Sequence, residues 1–316
     1  HELPRLILQA RELNKLRGTF LQGLLKHNCN GRIHAHINQI RSDSGGAVSG
    51  RFSYNHPNLQ QIPSRGQFAQ EIRKLFIPEV GEYWLKADYS QQEPRLLTHW
   101  ACLVGQMGAQ EVKEAYQKSD LDFHQQTADM AGVERRLAKT IGLGVMYGMG
   151  YNKMARELDI DPQDAKKMLA DFRERVPFMQ GMLEAVMNRA NSKGIIRTLL
   201  GRKCRFDLWE PSAWGVHKAL PHNQAKVEYG DAIKRAGTYK ALNRLIQGSA
   251  ADQTKKAMVD VYEQLGVTPL IQVHDELDCS VKGEKEAKEI QRVMETCVEL
   301  EVPSKADIDL GESWGG

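Results

Sequence analysis

A chain of 316 residues is long enough to bury a substantial core and to divide into two domains. With 41% hydrophobic and 26% charged residues it has an ordinary globular composition, and no uncharged apolar run approaches the roughly 18 residues of a membrane span. A net charge of +3 excludes a strongly polybasic protein, and five scattered cysteines with no C-x-x-C spacing exclude both a disulfide framework and a structural zinc site.

The start, His1-Glu2-Leu3-Pro4, has neither an initiator methionine nor a basic-then-apolar leader, so the chain reads as a fragment with upstream domains not included. Apolar residues at Leu6, Leu13, Leu16, Phe20 and Leu24 predict a helix over 4–26, stopped by the turn signal Asn28-Cys29-Asn30-Gly31. Residues 42–66, rich in Ser, Gly, Pro and Asn, read as loop with short strands. A strand pair is expected at 73–78 and 83–88, turning at Glu79-Val80-Gly81. From Pro94 to about Arg175 the pattern is helical, with Pro162 in a first turn where its missing N–H is harmless. Residues 194–210 read as a hairpin around Gly201-Arg202, and helical spacing returns over 226–265. Two strands, 270–273 and 277–281, then flank His274-Asp275-Glu276, and a helix over 284–300 leads to a terminal strand at 305–310. Strands near both ends with helices between them predict an α+β domain interrupted by a helical one. Two basic stretches, Arg11 to Arg32 and Arg189 to Arg205, suit a phosphate backbone or, equally, solvated helix faces.

Three constellations could carry chemistry. Asp88 ends an apolar strand and is followed by Tyr89-Ser90-Gln91-Gln92-Glu93-Pro94-Arg95; a carboxylate there could hold Mg²⁺ or could cap the next helix. His274-Asp275-Glu276 gathers three ionisable groups where a plain hairpin would favour Asn-Gly, although acids are also ordinary turn formers. Asp88 and Asp275 could meet on adjacent strands and share two metal ions about 3.5–4 Å apart, the arrangement that clamps an in-line phosphoryl displacement. Arg135, Lys139, Leu143 and Tyr147 recur every fourth residue, a helical stripe running from cation to aromatic that could lie along a nucleoside triphosphate or face solvent. Glycines 142, 144, 148 and 150 do not make a phosphate loop, because no strand precedes them and no G-K-[ST] follows.

In this order the motifs resemble those of family A DNA polymerases, the bacterial polymerase I and phage replicative type. Asp-Tyr-Ser-Gln-x-Glu-x-Arg at 88–95 matches the first metal motif, Arg-x3-Lys-x7-Tyr-Gly at 135–148 the nucleotide-binding helix, and His-Asp-Glu at 274–276 the second metal motif. Supporting stretches include Gly50-Arg51-Phe52-Ser53, Pro57-Asn58-Leu59-Gln60 and Asp122-Phe123-His124. The resemblance implies an antiparallel-sheet palm (1–95 and 233–316, the end of a thumb helix at 4–26) interrupted by helical fingers (96–232), with the thumb largely absent. It implies Asp88, Asp275 and Glu276 as catalytic acids, with Asp88, Tyr89 and Asp275 holding two Mg²⁺, or Mn²⁺ in their place. Gln91, Glu93, His124, Arg135, Lys139, Leu143 and Tyr147 would line the nucleotide, Glu93 as the sugar gate. Arg51, Asn58, Gln60, Asn243, Gln247 and His274 would contact DNA. The implied partners are a primer-template, a dNTP, no membrane, and a processivity factor or upstream domains. The implied setting is the cytoplasm of a bacterial or phage-infected cell, with a reducing organelle fitting the cysteines as well.

The sequence departs from the family pattern in places. Leu143 stands where Phe or Tyr is usual, so discrimination against 3′-deoxy sugars does not carry over. Gln92 and Pro94 replace apolar residues, and Tyr239 replaces an Arg, so it is assigned no DNA contact. Without most of a thumb, weak DNA binding and low processivity are expected. The alternatives are a single-subunit RNA polymerase-like enzyme, against which Glu93 and His274-Asp275-Glu276 argue, a non-catalytic nucleic-acid binding module, and a metal-dependent nuclease.

Overall fold

The computed structural model describes residues 2–316 apart from 43, 44, 67, 119–121, 214 and 216. The chain forms two compact units: residues 1–90, 254–297 and 305–316, and residues 91–253 with 298–304.

The first unit is built around the strand Tyr83–Tyr89, whose residues alternate between two faces as a pleated chain must. It pairs antiparallel with Glu276–Val281 on one side and Ala306–Gly311 on the other, and Ile271–Val273 extends the sheet beyond Glu276–Val281. On one face Leu85, Ala87 and Tyr89 join Leu277, Cys279 and Val281, covered by Ile290, Val293 and Met294 of helix Glu284–Thr296. Each large apolar side chain sealed there contributes about 1.5–3 kcal/mol over leaving it in water. Trp84 lies on the other face, stacked on Trp314 with ring centroids 6.1 Å apart, among Phe20, Leu24, Tyr54 and Leu59.

The helix predicted over 4–26 is present as Glu2–Lys15, a π-helical stretch Leu16–Gln22 and a last turn Gly23–Lys26. Its apolar stripe is only half used: Phe20 and Leu24 are buried, whereas Leu6 and Leu13 are exposed. The expected strand at 73–78 does not form. Ala69–Arg73 is helical, and the Phe76 N–H closes a turn onto the Arg73 carbonyl at 3.0 Å. Both edges of Tyr83–Tyr89 are already paired by strands distant in sequence, so no place remains for a local hairpin partner.

In the second unit helices Gln92–Leu103, Ala109–Lys118, Phe123–Ala131, Arg135–Met146, Tyr151–Leu158, Pro162–Arg175 and Pro177–Lys193 surround a core that includes Ile141, Met146, Phe178, Met179 and Met182. Pro162 sits in the first turn of its helix behind the capping Asp161, as predicted. The expected hairpin is Ile195–Arg197 with Lys203–Arg205. The helix expected over 226–265 is broken. His222–Tyr229 ends at Gly230, then Ile233–Arg235 pairs with Leu208–Pro211, and only after Gly237 does Ala241–Leu265 begin. Gly142 and Gly144 lie on the buried side of Arg135–Met146. A methyl group at Gly144 would come 2.0 Å from the Met149 Cε, so these glycines serve close packing rather than a phosphate loop. Among the described residues no helix is long and apolar enough to cross a membrane.

Candidate active site

Sheet register decides which acids meet in the first unit. Asp88, one residue from the end of its strand, lies opposite Glu276 on one neighbour and Asp307 on the other. Asp275 occupies the two-residue turn with His274, whose φ of 57° is the left-handed conformation such turns need, and its carbonyl accepts the Tyr89 N–H at 3.2 Å. Residues remote in the chain thus bring Asp88, Asp275, Glu276 and Asp307 together. Crowding by the surrounding protein, then the charges of Asp275, Glu276 and Asp307, push the Asp88 carboxyl up to about 7. Because Asp88 still faces solvent, the repulsion by its neighbours is the firmer of those causes.

Other side chains fix this cluster. The Tyr89 ring is buried, and its hydroxyl donates to the Met294 carbonyl at 2.7 Å, which anchors the end of the strand. The Trp314 Nε1 donates to Glu276 Oε1 at 3.1 Å, and the Arg73 guanidinium lies 4.2 Å over the Trp314 ring. Behind them Asp278 is fully buried and accepts the Trp84 Nε1 at 2.9 Å, while its second oxygen has no donor. Burial and then the adjacent Glu276 push the Asp278 carboxyl well above the usual carboxylate range.

Among the described residues, no three His, Cys, Asp or Glu side chains form a ready-made metal cage. The cluster nevertheless fits a hard divalent cation. Mg²⁺ takes oxygen ligands, commonly one or two carboxylates with water and substrate phosphates, and a cation would relieve the repulsion that holds a proton on Asp88.

The second unit carries a helix with cations on its exposed side. Arg135, Lys139, Leu143 and Tyr147 do line one side of helix Arg135–Met146 and its C-cap, with Arg135, Lys139 and Tyr147 exposed. Asp122 joins this helix to the preceding one. One of its oxygens caps Phe123–Ala131 by accepting the His124 and Gln125 N–H groups at 3.0 and 3.1 Å, and the other accepts the Arg135 Nε at 2.7 Å. That junction sets His124 beside Lys139 and Arg135. Burial, then Lys139, lowers the imidazole pKa, with Arg135 adding to the effect and Asp122 opposing it. Gln91, in the left-handed region at φ 52°, accepts the Phe123 N–H at 2.9 Å and so helps to cap the same helix. The Tyr147 hydroxyl donates to Glu93 Oε2 at 2.7 Å, and Leu143 is half buried against the core.

The expected DNA contacts divide between the units. In the first, Asn58 caps a short turn by accepting the Gln60 N–H at 3.1 Å, and the Gln60 amide donates to the Gln272 carbonyl at 3.3 Å; Arg51 is half buried and His274 exposed. In the second, Asn243 and Gln247 are one turn apart and half buried on helix Ala241–Leu265. A network that the sequence did not reveal fastens the hairpin to that helix. Arg202 donates to Asp252 at 3.1 Å and to the Gly248 carbonyl at 3.0 Å, and Ser249 Oγ accepts from Trp100 and the Leu199 N–H. Asp307 was missed as well. Its strand was foreseen, but nothing in the local pattern shows which residue faces Asp88.

The first unit thus gathers carboxylates at one end of a sheet, and the second carries Arg135 and Lys139 on an exposed helix face. The family model described as DNA polymerase family A matches residues 1–316, and the chain belongs to that family. It is 38% identical to a DNA-directed DNA polymerase of Pseudomonas phage M6, over 100% of this chain and 52% of that protein. It is 34% identical to the thermostable DNA polymerase I of Thermus filiformis, over 99% of this chain and 36% of that protein. The POL domain of Pol1 from M. smegmatis, in complex with DNA primer-template and dNTP, superposes with a TM-score of 0.79 at 30% identity, covering 98% of this chain and 52% of that one. The chain therefore spans about half the length of the phage relative and about a third of the bacterial one.

Proposed function

We propose that this chain is the catalytic part of a template-directed DNA polymerase, transferring a nucleotide from a dNTP to a primer 3′-hydroxyl. The observation that carries the reading is the meeting of Asp88 with Asp275, Glu276 and Asp307 at one end of a sheet. Family membership and the primer-template and dNTP bound by the M. smegmatis neighbour support it. Family A DNA polymerases depend on metal. Here Asp88 and Asp275, with the Tyr89 carbonyl, would hold two Mg²⁺, and Glu276 would support them. Bound there, the ions would acidify the primer hydroxyl and neutralise the triphosphate and departing pyrophosphate.

The chain's own residues do the remaining work. Lys139 and the remaining guanidinium nitrogens of Arg135 draw in the phosphates, and His124, whose imidazole pKa is lowered by burial and then by Lys139, donates a hydrogen bond to them. The Tyr147–Glu93 bond holds Glu93 where a ribose 2′-hydroxyl would need room. Asp122 keeps His124 and Arg135 in fixed relation. We read the first unit as palm and the second as fingers, and a reducing cytoplasm suits its five free thiols.

Primer extension on a primed single strand, with dNTPs or rNTPs and with Mg²⁺ or EDTA, tests the reading. Mg²⁺-dependent, primer-dependent incorporation of dNTPs is expected. Preference for rNTPs would favour an RNA polymerase, and DNA binding without incorporation a non-catalytic module. In the same assay Glu93→Ala should narrow the preference for dNTPs over rNTPs at least about tenfold, since losing a steric or hydrogen-bonded discriminator is worth about 1–3 kcal/mol. Unchanged sugar discrimination would remove Glu93 from the gate.

A further inference from the structure

Glu276 and Asp278 lie two residues apart on strand Glu276–Val281, so both side chains leave the same face of the sheet. Their carboxyl groups share a hydrogen bond. Each also accepts an indole N–H: the Trp314 Nε1 donates to Glu276 at 3.1 Å, and the Trp84 Nε1 donates to Asp278 at 2.9 Å. The two indoles are stacked on each other, with 26° between their planes, and the Arg73 guanidinium lies over Trp314. Two acids and two rings thus close a box in which every member touches the next.

Packing alone does not call for an acid at position 278. The side chain is fully buried, opposite Ile271 on one neighbouring strand and Lys86 on the other. Lys86 pairs with Asp309 at 2.5 Å instead, and no N–H group reaches the second Asp278 oxygen. A buried acid so placed costs the fold stability, whereas an apolar side chain would extend the cluster of Trp84, Ile271 and Trp314. The one group that gains from the acid is Glu276, which is half-buried, opposite Asp88, and would otherwise be held by Trp314 alone. A glutamate loses rotamer freedom when it is fixed, and a second anchor supplies that order before any cation arrives. We propose that Asp278 is a positioning residue for Glu276, fixing the orientation of that carboxyl group beside Asp88 so that the cluster receives a divalent cation preorganised. The proposal rests on the polymerase reading and deepens it by naming a residue that acts behind the metal-binding acids.

The test measures Mn²⁺ affinity by electron paramagnetic resonance on the complex with primer-template, alongside metal-free Tm and primer extension. Asp278→Asn keeps both contacts, its carbonyl accepting from Trp84 and its amide donating to Glu276, so Mn²⁺ affinity and extension should stay within about twofold of the parent. Asp278→Val removes both contacts but suits a buried strand position. It should weaken Mn²⁺ binding about tenfold, the low end of what is lost with a partner behind a metal ligand, while metal-free Tm holds or rises. In a Glu276→Gln background the same valine should add less than about twofold, because the effect runs through Glu276. The proposal is overturned if Asp278→Val binds Mn²⁺ within about twofold of the parent, if Asp278→Asn loses as much as the valine, or if the loss persists undiminished in Glu276→Gln. A lowered metal-free Tm in Asp278→Val would assign the residue to packing and overturn it too. A parent chain that neither binds Mn²⁺ nor extends primers would overturn the polymerase reading itself, an outcome distinct from an active parent that Asp278→Val merely equals.

Discussion

Asp88→Asn and Asp275→Asn should each lower the rate of nucleotide incorporation at least about a thousandfold, because metal-assisted charge neutralisation supplies several kcal/mol of transition-state stabilisation. Binding of primer-template, measured separately by fluorescence anisotropy, should change little, since neither side chain is a cation aimed at phosphate. The asparagine variants keep shape and main-chain pairing, so lost packing would not explain the effect. The charge balance around Asp88 adds a second readout. Its folded-state carboxyl sits at about 7, against 3.8 unperturbed, so the folded chain keeps a proton that the unfolded chain releases. That contribution to stability is fully present below 3.8 and is lost as the pH climbs towards 7. Without divalent ions, Tm should therefore fall as the pH is raised through that window, and this part of the slope should vanish in Asp88→Asn. Added Mg²⁺ should raise Tm more at pH 8 than at pH 5, where it competes with the proton. Either variant extending primers at near-normal rates would take that acid out of the metal site.

Lys139→Ala should reduce kcat/KM for the incoming dNTP by roughly 10- to 100-fold, since a hydrogen bond to a charged partner is worth about 1.5–3 kcal/mol. Three observations single out this residue. Lys139 is exposed, no carboxylate among the described residues pairs with it, and its charge lowers the His124 pKa. Arg135, by contrast, already engages Asp122 through Nε, so its removal would also loosen the cap of helix Phe123–Ala131. Single-turnover dNTP titrations measure the kinetic effect. In the free protein, NMR titration should show the His124 pKa moving upward in Lys139→Ala, back towards the ordinary imidazole value. A variant with kcat/KM within threefold of the parent would place the triphosphate elsewhere.

The sequence makes visible what depends on local spacing. The stripe from Arg135 to Tyr147, the first-turn Pro162 and the strands around His274-Asp275 follow from periods of 3.6 and 2 and from turn chemistry. What it conceals depends on long-range pairing. Residues 73–78 carry a strand-like pattern, yet the neighbours of Tyr83–Tyr89 come from the far end of the chain. For the same reason Asp307 gives no sign of its role: its strand can be predicted, but its register cannot. Ile233–Arg235 sits between helices and pairs with Leu208–Pro211, a tertiary contact that overrides the helical reading of its neighbourhood. Asp278 looks like any polar residue in an edge-to-centre alternation. In the fold it is buried, with the Trp84 indole donating to it.

The strand that carries Asp88 has a ladder on both sides and a sealed apolar face. Segments so enclosed exchange their amide protons through global rather than local opening. Catalytic competence on warming should thus persist until the whole sheet melts, and inactivation should track cooperative denaturation instead of an earlier fraying of the reaction centre.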